Sequence, residues 1–257
     1  MGYQIPIAFT GPVLLLAVIG SLHLAQLWGE HTISRMPSAR ASVPVDTLAP
    51  SFGNGDTTRV SVGRPNTRLL ARFPDRYAMY DHVASLALSA RGKHLGTIAE
   101  VGVWRGGNSK RLWDAFHPEK MLLTDLWAET NDPRYKASNQ QLVEKLFESQ
   151  VASGAVQTHK GDSEKWMASL ADGALDLMYL DTVHSYGRTR LEMDRVSRVI
   201  SKRGYLCGHD FGHPDEKGGM VYGVIEAVMD FALTDGWELI AVSLDKPYRS
   251  FCMERLQ

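Results

Sequence analysis

Short apolar segments alternate with amphipathic segments along the C-terminal two thirds of the chain. The alternation predicts strands at 97–101, 121–124, 156–159, 175–180, 204–208, 237–243 and 249–253. It predicts helices between them at 109–116, 139–149, 164–171, 188–200 and 222–234, and an earlier helix from about Tyr77 to Gly92. Strands that alternate with helices indicate an α/β domain with a mostly parallel sheet, whose ligands bind beyond the carboxyl ends of the strands.

The N-terminal segment 5–28 contains no Asp, Glu, Lys or Arg. As a helix it is long enough to cross the ~30 Å hydrocarbon core, so we predict a transmembrane anchor within residues 1–30. A cleaved signal peptide is the main alternative, although no Lys or Arg precedes the apolar run. A Pro- and Ser-rich linker at 31–66 then leads to a folded domain at 67–257.

Charges and cysteines limit the location and the partners. Arg35 and Arg40 follow the apolar segment, so the positive-inside rule predicts that the C-terminal domain faces the cytoplasm or its organellar equivalent. The two cysteines, Cys207 and Cys252, lie outside any C-x-x-C pattern, and we expect reduced thiols. A net charge of −1 provides no basic field for a phosphate backbone, so nucleic acid is not an expected partner.

A glycine-containing turn follows the first strand and opens a helix. Its candidate ligand-binding residues are Glu100, Gly102, Gly106 and Ser109. Glycine allows close approach of the backbone to a ligand, and the helix N-terminus presents free N–H groups. The G-x-x-x-G spacing differs from the dinucleotide-binding G-x-G-x-x-G, and no P-loop lysine follows it. The alternative is a purely structural turn, in which the glycines allow tight packing and bind no ligand.

Acidic residues end the second and third strands. A carboxylate in the place of Asp125 can accept hydrogen bonds from both hydroxyls of a ribose, although it could instead cap a turn. Asp162 and Ser163 follow the third strand, where Asp162 could also be the N-cap of the helix that begins near Glu164. These positions add to the candidate ligand site.

The fourth and fifth strands end in acids and histidines. Asp181 and His184 follow the fourth strand, and His209 and Asp210 follow the fifth. Neighbouring strand ends of a parallel sheet lie close together, so these groups could supply a general base or bind a metal. Oxygen ligands favour Mg²⁺ through Asp181 and Asp210, whereas two histidines would permit a softer first-row ion. Each histidine alone could equally be structural.

The glycine turn resembles motif I of the class I S-adenosylmethionine-dependent methyltransferases. The sequence of residues 102–107 is similar to that of the macrocin O-methyltransferase-like group, also called methyltransferase domain 24. The resemblance covers about residues 77–255 and implies a Rossmann-like sheet of seven strands in the order 3-2-1-4-5-7-6. It also implies that the last strand lies antiparallel to the fifth, which would make Cys207 and Cys252 neighbours. Thr182 departs from the glycine that such families often carry.

The resemblance implies a role for each of these residues. The cofactor S-adenosylmethionine would be held by Glu100, Gly102, Gly106, Ser109, Asp125, Asp162 and Ser163. The catalytic residues would be Asp181, His184 and His209, with Asp181 and Asp210 as ligands of a Mg²⁺ ion. The expected reaction is methyl transfer to a hydroxyl of a small molecule.

A second hypothesis belongs to a different class of protein. The domain could be a catalytically silent accessory or assembly subunit of a membrane protein complex, with the bilayer bound through residues 5–28. The predicted anchor and Thr182 motivate this alternative. Binding of S-adenosylmethionine, and then methylation that depends on Asp181, would distinguish the two.

Overall fold

The computed structural model of the chain describes residues 70–128, 133–212, 222–246 and 248–256. The predicted anchor at 1–30 and the linker at 31–66 therefore lie outside the described residues. Among the helices that are described, none combines the length and the apolar character needed to cross a bilayer.

Eight strands and seven helices make up the described domain. The strands are β1 (Ala71–Phe73), β2 (Thr97–Val101), β3 (Lys120–Asp125), β4 (Val156–Lys160), β5 (Leu175–Leu180), β6 (Ile200–Gly208), β7 (Trp237–Ser243) and β8 (Phe251–Arg255). The helices are α1 (Arg76–Arg91), α2 (Gly107–Phe116), α3 (Asn139–Leu146), α4 (Glu148–Ala152), α5 (Ser163–Ser169), α6 (Tyr186–Val199) and α7 (Val224–Thr234).

The strands form one mixed sheet in the order β1-β7-β8-β6-β5-β2-β3-β4. With β2 to β8 counted as strands one to seven, this is the expected order 3-2-1-4-5-7-6. Only β8 among the described strands runs antiparallel to its neighbours, β6 and β7. The expectation of seven strands is wrong, because β1 adds an eighth at the edge, parallel to β7. Three residues are too few to show a periodic pattern, and their pairing depends on contact with a distant segment.

Apolar side chains cover both faces of the sheet. One cluster packs α1 and α2 onto the sheet through buried residues such as Val83 and Leu112. The other packs α6 and α7 onto the opposite face through residues such as Val196 and Phe231. The helix predicted at 139–149 is divided at Phe147, whose buried ring lies 6.1 Å from that of Trp113. Burial of this ring accompanies the break between α3 and α4.

The two cysteines form a disulfide between β6 and β8. Cys207 pairs directly with Cys252 in the antiparallel register, and their sulfurs are 2.04 Å apart. The implied proximity is therefore confirmed, whereas the expectation of reduced thiols is wrong. Sequence separation hides the pairing, because the two cysteines are 45 positions apart in the chain, with α7 and β7 between them.

Candidate active site

The glycine turn connects β2 to α2 and contains two glycines with positive φ. Gly102 has φ +90°, and a Cβ there would lie 1.8 Å from the carbonyl oxygen of Asp181. Gly106 has φ +79° and precedes the first residue of α2. Only glycine fits at position 102, since any side chain would collide with the backbone that follows β5. The turn thus lies directly against the loop that carries the acidic cluster.

Glu100 and Ser109, both predicted cofactor residues, contact each other. The Ser109 hydroxyl donates to Glu100 Oε2, and Asn108 Nδ2 donates to Glu100 Oε1 at 3.0 Å. Only 1% of Glu100 is exposed. Burial raises the pKa of Glu100 to about 8, against the opposing effect of the hydrogen bonds from Ser109 and Asn108. The pair therefore fixes the start of α2 onto the end of β2.

Asp125 ends β3 beside this turn. Its Oδ2 accepts a hydrogen bond from the backbone N–H of Trp104 at 2.8 Å, and its Oδ1 accepts one from Trp127 at 2.7 Å. The indole of Trp127 in turn donates to the carbonyl of Trp104 at 3.0 Å. A carboxylate oxygen has more than one acceptor site, so Asp125 retains the capacity to bind a pair of hydroxyls.

Asp162 is the N-cap of α5, which was one of its two predicted roles. Its Oδ1 accepts from the backbone N–H of Lys165 at 3.1 Å, and its Oδ2 accepts from Arg188 at 2.9 Å. The backbone hydrogen bond from Lys165 is the main cause that lowers the pKa of Asp162, and Arg188 adds to it. Ser163 is buried and donates to Glu192 at 2.5 Å.

The ends of β5 and β6 bring the predicted acids and histidines together. His184 Nε2 lies 2.9 Å from Asp210 Oδ2 and 3.7 Å from Asp181 Oδ1. His209 Nδ1 lies 3.2 Å from the same Asp210 oxygen and 3.7 Å from Asp181 Oδ2. Asp210 is buried and has φ +56°, which is uncommon for a residue other than glycine. All four side chains therefore form one cluster.

This cluster shifts the proton equilibria of its members. Burial by itself would lower the pKa of His184, but the nearby carboxylates of Asp181 and Asp210 raise it to about 9. Burial would raise the pKa of Asp210, but hydrogen bonds from His184 and His209 hold it well below its ordinary value. In the ligand-free cluster at neutral pH, His184 is a cation paired with the Asp210 carboxylate.

Three cluster members fit a divalent cation. Asp181, His184 and Asp210 each offer one ligand atom, and these atoms lie within 4.8 Å of one another. Carboxylate oxygens and an imidazole nitrogen are ligands for such ions, although a pure oxygen set would suit Mg²⁺ better. Coordination would require neutral His184. His184 thus joins Asp181 and Asp210, the two residues that the sequence predicts as metal ligands.

Three polar residues that contact this region are absent from the sequence prediction. Arg76 Nη2 lies 2.5 Å from His209 Nε2. Arg188 and Glu192 lie four residues apart on α6 and are joined at 3.0 Å. Glu192 Oε2 accepts a hydrogen bond from Thr182 at 2.5 Å. From the sequence alone, charged residues on an amphipathic helix are expected to face solvent. The only signal that could have indicated an interaction between Arg188 and Glu192 is their four-residue spacing.

Part of the chain matches the model of a known protein family. Residues 99–211 match the model of a family described as a methyltransferase domain. No curated protein matches the chain.

Several solved structures are similar to this chain at low sequence identity. A protein from Clostridium thermocellum described as an rRNA methylase is 9% identical, over 70% of this chain and 94% of its own, with a TM-score of 0.50. The N-methyltransferase NodS from Bradyrhizobium japonicum, solved with S-adenosyl-L-homocysteine, is 13% identical over 71% of this chain and 89% of its own, with a TM-score of 0.49.

An O-methyltransferase family protein from Burkholderia thailandensis is 14% identical over 70% of this chain, with a TM-score of 0.49. The match spans 55% of that protein's length. The sheet order, the glycine turn and the family match agree with one another. Residues 99–211 therefore match the methyltransferase-domain family, which confirms the resemblance to the class I methyltransferases.

Proposed function

We propose that the chain binds S-adenosylmethionine and transfers its methyl group to a hydroxyl of a small molecule. The observation that carries the proposal is the contact between Gly102 and Asp181. A Cβ at position 102 would lie 1.8 Å from the Asp181 carbonyl oxygen, so the cofactor turn directly adjoins the acidic cluster. A cofactor in that turn would end beside groups that can accept a proton.

The cofactor side rests on three strand ends. The turn after β2 offers backbone N–H groups and glycines, Asp125 offers a carboxylate for the ribose, and Asp162 and Ser163 lie at the end of β4. NodS, which has a similar fold, was solved with S-adenosyl-L-homocysteine bound. When bound, S-adenosylmethionine supplies a sulfonium methyl group for in-line attack.

We assign the acceptor side to the cluster at the ends of β5 and β6. Asp181 would accept the hydroxyl proton, since its carboxylate lies 3.7 Å from both histidines and is free of a closer bond to them. His184 and Asp210 would hold Asp181 and orient the acceptor. A divalent cation at Asp181, His184 and Asp210 would acidify a bound hydroxyl. The two engaged nitrogens of His209 suit it to supporting Asp210.

Membrane attachment through residues 5–28 is part of the proposal. Support comes from the uncharged apolar run, which lies outside the described residues. The cytoplasmic orientation proposed from Arg35 and Arg40 is opposed by the Cys207–Cys252 disulfide, a bond typical of oxidising compartments. Protease protection of sealed membranes would decide the orientation, because only a domain outside the vesicle is digested.

Two observations motivated the alternative of a catalytically silent subunit of a membrane complex, and one of them no longer supports it. Thr182 motivated this alternative because it departs from the glycine that similar families often carry. In the structure its hydroxyl donates to buried Glu192 at 2.5 Å, so the loop has a specific anchor. The accessory hypothesis now rests on the predicted membrane anchor alone.

Titration calorimetry of S-adenosylhomocysteine tests the cofactor part of the proposal. The full-length chain, purified in a mild detergent, should bind the ligand, and Asp125→Ala should weaken binding by about tenfold. Transfer of labelled methyl from S-adenosylmethionine to a panel of small hydroxyl compounds then tests the reaction, with Asp181→Asn as the inactive control. Binding without any transfer would favour the silent subunit, and absence of binding by folded protein would reject both the cofactor and the reaction.

A further inference from the structure

One arginine connects two turns that the proposed function gives to different parts of the reaction. Arg188 lies in the first half of α6. Its Nη2 donates to Asp162 Oδ2 at 2.9 Å and to the Ser163 hydroxyl at 2.6 Å. Its Nε donates to Glu192 Oε1 at 3.0 Å. The guanidinium thus holds the turn before α5, on the cofactor side, onto α6.

Glu192 continues this connection towards the reacting side. Only 1% of the residue is exposed, and a carboxylate so deeply buried is stable only when its oxygens are paired. Oε1 accepts from Ser163 and Arg188, and Oε2 accepts from Thr182 at 2.5 Å. Thr182 stands between Asp181 and His184, so the bond anchors the loop that carries both.

We propose that Arg188 and Glu192 are positioning residues that couple occupancy of the cofactor side to the order of loop 181–184. The inference rests on the proposed function, which assigns Asp162 and Ser163 to the cofactor. A ligand that fixes these two residues also fixes Arg188, and through Glu192 it restrains Thr182. The loop is then held most firmly when the cofactor is present, which prepares Asp181 for the acceptor. Each link is a hydrogen bond to a charged group, the stronger class of protein hydrogen bond.

Thr182 offers a matched pair of variants. Thr182→Val keeps the β-branched shape and removes the hydroxyl, whereas Thr182→Ser keeps the hydroxyl and removes a methyl group. A role in packing alone would be disturbed by both. A role that depends on the hydrogen bond to Glu192 would be lost in the first variant and rescued in the second.

Hydrogen exchange measured by mass spectrometry reads the order of the loop without need of an acceptor. The full-length chain in detergent is compared with and without saturating adenosine, which can occupy the adenine and ribose positions but carries no group for the reacting centre. Calorimetry on the same samples establishes binding of adenosine and of S-adenosylhomocysteine. In the native chain and in Thr182→Ser, adenosine should slow exchange in loop 181–184 by about fivefold or more. In Thr182→Val the slowing should be below about twofold.

The outcomes separate this inference from the proposed function. Equal slowing in Thr182→Val and in the native chain would overturn the coupling while leaving cofactor binding intact. If the native chain binds neither ligand, the proposed function fails. The anchoring of loop 181–184 by Glu192 is then tested by comparing the hydrogen-exchange rates of this loop in the two Thr182 variants without ligand. Faster exchange in Thr182→Val than in Thr182→Ser would support the anchoring role, and equal rates would overturn it. Should Thr182→Val fail to fold, Thr182→Ala makes the same deletion with less steric demand.

Discussion

Arg76 Nη2 lies 2.5 Å from His209 Nε2, and this contact determines the tautomer of the histidine. A guanidinium can only donate, so Nε2 must accept, and the proton of the neutral ring lies on Nδ1. Nδ1 in turn faces Asp210 Oδ2 at 3.2 Å. Both ring nitrogens are therefore engaged, and the contact of Nδ1 with Asp210 suits His209 to a supporting role in the cluster.

The tautomer of His209 can be observed by nitrogen NMR of the imidazole ring. In the native chain we expect a protonated Nδ1 and an unprotonated Nε2 for this residue. Arg76→Met should allow the Nε2–H tautomer to appear, because the donor that excludes it has been removed. Asp245→Asn is the control, since it removes an ion-pair partner of Arg76 and leaves the guanidinium in the chain. A protonated Nε2 in the native chain would contradict the assignment.

Glu100 should make stability depend on pH in the direction opposite to an ordinary surface carboxylate. Its pKa is raised from 4.5 to about 8 in the folded chain, so the folded state holds a proton that the unfolded state has released. The stabilisation from this proton is complete below pH 4.5 and is lost as the pH rises to about 8. Urea unfolding should show that raising the pH from about 6 to about 8 destabilises the native chain by roughly 2 kcal/mol relative to Glu100→Gln.

A substitution at an exposed carboxylate provides the comparison for Glu100. Glu119→Gln removes the same charge from an exposed side chain and should follow the native pH dependence. The interpretation of Glu100 fails if Glu100→Gln and the native chain show parallel stability curves over this range.

Gly102 in the turn and Gly107 at the start of α2 should respond differently to substitution by alanine. Gly102→Ala places a Cβ 1.8 Å from the Asp181 carbonyl oxygen at a positive φ, and should cost at least about 2 kcal/mol in the free energy of unfolding. Gly107→Ala meets no atom within 4 Å at the first residue of α2. There alanine should be neutral or stabilise by up to about 1 kcal/mol. Thermal unfolding of both variants measures the difference, and similar melting temperatures would contradict the close contact with Asp181.

The sequence predicts the parts of this domain that depend on local patterns. β2, β5 and β7 have the predicted bounds because short, mostly apolar segments between amphipathic helices identify buried strands. Asp181, His184, His209 and Asp210 can be placed together because parallel strands end at one edge of the sheet. The strand β1 has no such signal, since it consists of three residues whose pairing with β7 is formed across the whole domain.

The supporting residues of the site are harder to predict because their partners are distant in sequence. Arg76 and His209 are 133 residues apart, and nothing in the local pattern around Arg76 indicates a contact with the site. Arg188 and Glu192 form an ordinary spaced pair on a helix, and their contacts with Asp162 and Thr182 arise only when α6 packs beside two turns. The same holds for the cysteines, whose pairing follows from the register of β6 and β8.

The disulfide leads to the last prediction. Alkylation of the denatured, unreduced chain should leave both cysteines unmodified, and prior reduction should add two alkyl groups. Reduction, or Cys207→Ser with Cys252→Ser, should lower the free energy of unfolding by about 2–4 kcal/mol, because the cross-link restrains the unfolded chain. Expression in an oxidising compartment should yield the linked form, and expression in a reducing cytosol should yield thiols. Two reactive thiols in protein isolated from its native source would mean that the pair is reduced there, and would favour the cytoplasmic orientation that Arg35 and Arg40 predict.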